Sequence, residues 1–378
     1  MMEAYDRFEL LINDRVVKTP VAIASMAGIV DAAYVLERAA HVGAAFIGGY
    51  SIDGPTLDAS RKMAAEGRNE FLYGDPIEAL EREIDALKQS GVVTGINLRG
   101  STPAAYAEVA AAFEARVVYE IDAHCRQPAM LEAGCGEYLL KNPAKLVETI
   151  RALKAEDVTV SVKMRAGVAN DAGLARTVWK AGADILHVDL MDFGHARLRQ
   201  IRNASPLTLI ANNSITTFDK AMDAFSHGAD LVSLARQSDL WTLAGLDAAI
   251  TRSAEESGWY NAPKQLCRGG DIRALAFCCM PVKACPLIPA LQKIGLSRDE
   301  YLKLKQEAVK GTPLDDGRST CFGSLAWCCK ISSPCMFRNM TLESKGLPAR
   351  EYMRCKHRLA DQIMHRIFDE EESADESS

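Results

Sequence analysis

From Arg15 onward, short apolar, β-branched runs alternate with longer alanine-rich, charged segments of helical period. Eight such runs recur: Val21–Met26, Ala44–Tyr50, Val93–Leu98, Val117–Ala123, Val158–Met164, Asp184–Leu190, Leu207–Asn212 and Leu231–Arg236. They are largely apolar throughout, as parallel strands covered by helices require. Helical segments between them include Asp31–Val42, Pro103–Phe113, Pro143–Lys154, Ala172–Ala181 and Phe218–His227, and Gly43, Gly182 and Gly228 follow three of these where a helix C-cap is wanted. Eight strands, each followed by a helix and joined by right-handed crossovers, predict an α/β fold of TIM (β/α)8 type. The alternative, an open doubly wound sheet, lacks a glycine-rich dinucleotide fingerprint after the first strand. One connection is long: residues 51–74 intervene before a helix over Pro76–Ser90. Leaving from the C-terminal face, that excursion is either a cover for an active site or a packing extension.

Polar residues gather at the strand ends, where a barrel carries its chemistry. Asn97 and Arg99 close the third strand, Asp122, His124 and Cys125 the fourth, and Lys163 and Arg165 the fifth. Asp189 and Asp192 close the sixth, Asn212, Asn213 and Ser214 the seventh, and Arg236 the eighth. One such charge is readily a core salt bridge, but repetition at so many ends calls for partners or a ligand.

Beyond residue 257 the pattern changes, giving three expected regions: a barrel over 1–257, a small C-terminal cysteine-rich metal-binding domain over 258–368, and a disordered acidic tail over 369–378. Eight of the eleven cysteines form two matched sets. Cys267, Cys278, Cys279 and Cys285 make the first; Cys321, Cys328, Cys329 and Cys335 make the second. Each set has an aromatic residue before a Cys-Cys doublet and a final cysteine beside a proline. Side chains of adjacent residues diverge, so a doublet serves two sites, or one site and one core position. Eight thiolates suffice for two four-cysteine sites, with an iron–sulfur cluster, zinc or a thiol redox relay all open. The usual zinc spacing Cys-X2-Cys is absent, and no histidine lies between 258 and 344. Ser297 with Glu300 opens a helix expected to end near Gly311. A last helix carries Cys355, Leu359, Ile363 and Ile367 every four residues, which reads Cys355 as core.

Charge is uneven. The formal charge of −6 combines net −8 over residues 1–250, net +8 over 251–368 and six carboxylates in the tail. The basic part is a solvated surface or faces RNA, an acidic partner or the barrel itself. No run of about 18 apolar residues indicates a membrane span, and the charged start does not resemble a secretory signal. A cytoplasmic location is expected, where thiols stay reduced and serve metal or redox chemistry.

Residues 15–240 resemble the flavin-dependent barrel of the tRNA-dihydrouridine synthases. The resemblance rests on Ser25-Met26-Ala27-Gly28 with Asp31, Ile96-Asn97-Leu98-Arg99, Val162-Lys163-Met164-Arg165, Ile210-Ala211-Asn212 and Arg236. Its longest run is Asp122-Ala123-His124-Cys125-Arg126, followed by Gly134-Cys135-Gly136 and Leu139-Leu140. The resemblance implies FMN at the barrel mouth, held by Met26, Ala27, Asn97, Lys163, Asn212 and Arg236, with Cys125 as the catalytic acid. A packed thiol or a metal ligand are the other readings of Cys125. Where the family has Asn and Gly before its cysteine, this chain has Asp122 and His124. Asp189 stands at the family's strand-six His, and Asn213 and Ala235 replace phosphate-loop glycines. The family's RNA-contacting segment after strand six and its helical C-terminal tRNA domain have no counterpart, which argues against tRNA as substrate.

The cysteine-rich part resembles the methanogenesis marker 9 family. That resemblance implies a methanogenic archaeal source, an anaerobic cytoplasm and a methanogenesis protein partner. Two functions are expected in contrast: a flavin-dependent oxidoreductase with an unidentified substrate, or a non-catalytic metal- or cluster-carrying assembly or regulatory factor built on a degenerate barrel.

Overall fold

Proline at the first helical position and an acceptor side chain just before it recur along this chain, and they set where its helices begin. A computed structural model describes residues 8, 10–191, 193–257, 271, 288–293, 295–315, 340, 342–347, 355, 358–360 and 362–366. In helix Pro76–Leu87 the Asp75 carboxylate accepts the amides of Ile77 and Glu78, at 2.8 and 3.2 Å. Thr102 caps Pro103–Phe113 by accepting from Ala105, and Asp53 caps Gly54–Ala65 by accepting from Thr56.

Eight parallel strands close into a barrel. They are β1 (Val21–Ile23), β2 (Ala44–Ser51), β3 (Val93–Arg99), β4 (Val118–Ala123), β5 (Thr159–Arg165), β6 (Ile185–Asp189), β7 (Thr208–Asn212) and β8 (Leu231–Leu234). Each pairs with the next, and β8 pairs back on β1 through Val232 and Val21. Nearly every strand residue is buried, because helices cover the outside and side chains fill the inside. The eight predicted runs and the eight strands coincide to within a few residues at each end.

One glycine acts differently from its expected role. Gly182 and Gly228 have positive φ, 104° and 112°, as C-caps do, but Gly43 does not. A Cβ on Gly43 would stand 2.1 Å from the Thr19 carbonyl oxygen, so close backbone approach, not left-handed geometry, requires glycine there.

The chain divides into two compact units, of which Leu10–Phe225 with Ala229–Thr251 is the barrel. In the second unit Ser297 caps helix Arg298–Val309 by accepting from the Glu300 amide, and Gly311 follows at φ 77°. The Glu300 carboxylate turns to Arg366, at 2.8 Å, instead of back to the cap. Cys355, Leu359 and Ile363 are all buried, as a core stripe requires. Ile367, the tail over 369–378 and the eight paired-set cysteines, Cys267, Cys278, Cys279, Cys285, Cys321, Cys328, Cys329 and Cys335, lie outside the described residues. Among the described residues no helix is long and apolar enough to cross a membrane.

Candidate functional site at the barrel mouth

Alternate residues of a strand share a face, so Asn97 and Arg99, Glu120 and Asp122, Ser161, Lys163 and Arg165, and His187 and Asp189 form inward-facing columns. The lower layer is one connected hydrogen-bond network. Glu120, fully buried, accepts from Asn97 Nδ2 at 2.8 Å and Ser161 Oγ at 3.1 Å, and meets His187 Nδ1 at 2.8 Å. His187 Nε2 reaches Ser233 Oγ at 2.8 Å, and Ser233 accepts from Asn212 Nδ2 at 2.9 Å. Glu120 spans from β4 to β6, and His187 from β6 to β8, so these bonds cross the lumen.

Charge states follow from the environment. Burial works against the Glu120 carboxylate, but His187, Lys163 and Asn97 outweigh it and hold its pKa below the usual value. Burial keeps His187 below its ordinary pKa against the pull of Glu120. A neutral imidazole then donates Nδ1–H to Glu120 and accepts the Ser233 hydroxyl at Nε2. Since a carboxylate only accepts, the Asn97 amide must turn its nitrogen down to Glu120 and its carbonyl oxygen elsewhere.

Above this layer lies a ring of charges. Arg99 donates Nε to Asp122 Oδ2 at 2.9 Å and Nη1 to Glu70 Oε2 at 2.7 Å, with all three side chains buried. Glu70 comes from the 51–74 excursion, which therefore supplies a rim residue and is not merely an outside extension. The other oxygen of Asp122 accepts the backbone amides of His124 and Cys125, both at 3.0 Å. Burial raises and Arg99 lowers the Asp122 pKa, which settles at about 2. His124 Nε2 stands 2.6 Å from Asp189 Oδ2, bridging β4 to β6 over the end of β5. Arg165, at the end of β5, pairs with Glu137 at 3.1 Å.

The residues expected to hold a flavin all lie on the C-terminal side of the barrel. Met26 and Ala27 form the turn after β1, closed by Val30 N–H to Met26 O at 2.9 Å. Lys163 donates to Ser25 Oγ at 2.8 Å and to Ser25 O at 3.1 Å, which leaves one ammonium N–H. Asn97 and Asn212 close β3 and β7 with their nitrogens committed below. Arg236 follows β8, exposed and without an ion pair to another described residue. In the β7 loop Asn213 has φ 116°, a conformation natural to glycine, at a position where glycine was expected of a phosphate loop. Asp192 lies outside the described residues.

Cys125 is 8% exposed and packs with Ala59, Met63, Met130 and Cys135. Burial pushes its thiol pKa up, against a smaller lowering by Arg99, so a protonated thiol is favoured. Gly136 clamps this loop: at φ 68°, a Cβ there would stand 2.1 Å from the Cys125 carbonyl oxygen, which accepts the Glu137 amide at 2.8 Å. Gly136→Ala is expected to cost at least about 2 kcal/mol, from left-handed strain plus a backbone collision. Urea unfolding measures it, and an unchanged midpoint would show that the Cys125 loop is not held this way.

Glu70, Glu120, Ser161, His187 and Ser233 were not singled out by sequence reasoning. The available signal was the period of two: each of the four in a strand lies two residues, or a strand's width, from a polar strand-end residue. Among the described residues no cluster of three or more His, Cys, Asp or Glu side chains is arranged to hold a metal ion.

A closed parallel barrel with charged strand ends fits a broad class of enzymes, and comparison narrows it. Residues 77–241, from the helix before β3 to just beyond β8, match the dihydrouridine synthase (Dus) family. The chain belongs to the family of the uncharacterized protein MJ0115 of Methanocaldococcus jannaschii. The two are 49% identical over 107 residues, 28% of this chain and 69% of that protein. A second uncharacterized protein of that organism, MJ0144, is 27% identical over 231 residues, 57% of this chain and 88% of its own length. The tRNA-dihydrouridine(16) synthase of Yersinia pestis is 32% identical over 168 residues, 39% of this chain and 53% of the enzyme.

Proposed function

We propose that the barrel binds FMN at its C-terminal mouth and acts as an oxidoreductase that reduces an unsaturated ring. The observation that carries this reading is the convergence of Lys163, Asn97, Asn212 and Arg236 on one rim of a Dus-family domain. The residues suit such a group. Arg165 Nε, at the end of β5, is buried without a hydrogen-bond partner among the described residues, which costs about 1–3 kcal/mol unless a ligand or water meets it. Lys163 keeps a free N–H, the Asn97 and Asn212 amides are fixed with their carbonyl oxygens uncommitted to the network below, and Arg236 offers a solvent-facing cation for a phosphate. Such sites in barrels lie at the loops after the seventh and eighth strands. Bound FMN would supply a hydride; the chain's part is to orient the ring, exclude water and move a proton. Cys125 and His124, neighbours on the loop after β4, are the two candidates for the proton.

For the cysteine-rich part, the two matched sets support a pair of four-thiolate sites holding iron–sulfur clusters or zinc. Its resemblance to the methanogenesis marker 9 family supports a cytoplasmic, methanogenesis-linked role with a protein partner. The Yersinia relative is named for its action on tRNA; the substrate of this chain's barrel is left open in this reading.

Anaerobic purification of the full chain, an absorption spectrum and metal analysis test these assignments together. About one FMN per chain is expected after reconstitution, with Lys163→Ala weakening FMN binding at least about tenfold. Cluster absorption with no FMN uptake would overturn the enzyme reading in favour of a cluster-carrying assembly factor, a reading that the burial of Cys125 also favours.

A further inference from the structure

We propose that His124, oriented by Asp189, is the proton donor of the barrel mouth; this rests on the flavin reading above. Two oxygens of Asp189 are separately engaged: Oδ1 accepts the Met191 amide at 3.1 Å, and Oδ2 meets His124 Nε2 at 2.6 Å. The carboxylate is therefore fixed, and it fixes the imidazole. Burial opposes the Asp189 charge, but the His124 hydrogen bond and charge and the Met191 amide hold its pKa low. An ionised Asp189 demands Nε2–H. Arg165 Nη2, 3.3 Å from the same nitrogen, then packs against the ring without donating to it.

With Nε2 committed, His124 presents Nδ1, which has no partner among the described residues, while 26% of the side chain is exposed at the mouth. The backbone beneath is held by Asp122, which accepts the His124 amide. An imidazole with one nitrogen on a fixed carboxylate and the other free is arranged for proton transfer. Cys125 is the weaker candidate: it is 8% exposed, its neighbours are methionines, alanines and a second thiol, and burial holds its proton.

The ligand class is an electron-poor ring bearing a carbon–carbon double bond. Bound reduced FMN would supply a hydride to one carbon, while His124, carrying protons on both ring nitrogens, gives its Nδ1 proton to the neighbouring carbon; the C=C bond becomes C–C, the flavin would be left oxidised, and the imidazole, keeping Nε2–H on Asp189, takes a proton back from solvent. The groups that interact with the imidazole are Asp189 and His187 on β6, Arg165 on β5, whose guanidinium also pairs with Glu137, and Asp122 on β4.

The test uses the full chain loaded with FMN and reduced anaerobically by dithionite. Reoxidation is followed with 2-cyclohexenone, which requires a positioned proton at carbon, and with menadione, a quinone that takes its protons at oxygen. His124→Asn should lower the ratio of the enone rate to the quinone rate at least about 100-fold. Asp189→Asn should lower the same ratio by less than His124→Asn does while leaving the quinone rate unchanged, because an amide holds the imidazole less firmly than the carboxylate. Urea unfolding of both variants checks that the barrel persists. An unchanged ratio in His124→Asn, a ratio lost only in Cys125→Ala, or a wild-type protein that reduces menadione but not the enone each overturns the proposal. Absence of FMN uptake, seen before any acceptor is added, overturns the flavin reading and this proposal with it.

Discussion

Glu120→Ala is expected to destabilise the barrel by about 3–5 kcal/mol, the cost of removing one partner from a buried charged network. Three donors converge on this carboxylate: Asn97 Nδ2, Ser161 Oγ and His187 Nδ1. Alanine would leave them unsatisfied inside a lumen that holds no bulk solvent, and would open a cavity as well. Glu120→Gln keeps the volume and one acceptor oxygen. Ser161 can rotate and His187 can exchange tautomers, so its cost should be smaller, about 1–3 kcal/mol. Urea unfolding at neutral pH measures both, and equal losses would show that volume, not polarity, sets the cost.

The same network predicts acid sensitivity. Glu120 has a depressed folded pKa, so its contribution is present above the unfolded carboxylate value and is lost as pH falls through the folded one. His187 is also depressed, so the unfolded chain takes up the proton first as pH drops below about 6.5. Both act in the same direction: the barrel weakens on acidification.

Arg99→Met should cost a comparable amount, about 3–5 kcal/mol at pH 7, because it strands Glu70 and Asp122 as buried anions. Its diagnostic feature is a dependence on pH. The drop of the Asp122 pKa from 3.8 to about 2 corresponds to about 2 kcal/mol of stability. That stability is fully present above the unfolded value and disappears as pH falls through about 2. Glu70 touches the same guanidinium yet has a raised pKa, since burial outweighs Arg99 there. It therefore opposes folding slightly as pH rises past its unfolded value. Asp122 goes the other way because Arg99, His124 and Lys163 together outweigh its burial. In Arg99→Met both carboxylates can protonate in mild acid, so the deficit relative to wild type should narrow between pH 7 and pH 4.5. Urea titrations at the two pH values decide it, and a deficit that stays constant would mean that packing of the arginine stem, not charge, was lost.

Much of this molecule was legible in one dimension. The eight runs became eight strands because apolar β-branched segments between capped helices leave few other ways to bury both faces. Ser297 caps the helix that its position forecast, and Asp75 and Thr102 cap two further expected helices, since capping is settled within four residues. Cys355 belongs to a buried stripe because the helical period fixes its face. The mouth was legible only as a set of strand ends, and the Dus-family match supports that reading of the fold without assigning roles to Met26, Ala27, Asn97, Lys163, Asn212, Arg236 or Cys125.

What the sequence alone determined was local: which segments are strands and helices, which side of each is buried, and that polar residues crowd the C-terminal ends. Tertiary structure decided who meets whom. Glu120 and His187 are 67 residues apart, His124 and Asp189 are 65 apart, and each pair skips a strand. A period of two says that these side chains point into the lumen, but barrel closure and strand stagger place them at one height. Gly43 shows the same division, since no local rule reveals that Thr19 will lie against it. The physical reason is that hydrophobic patterning acts over a few residues, whereas pairing across the lumen exists only once all eight strands have closed.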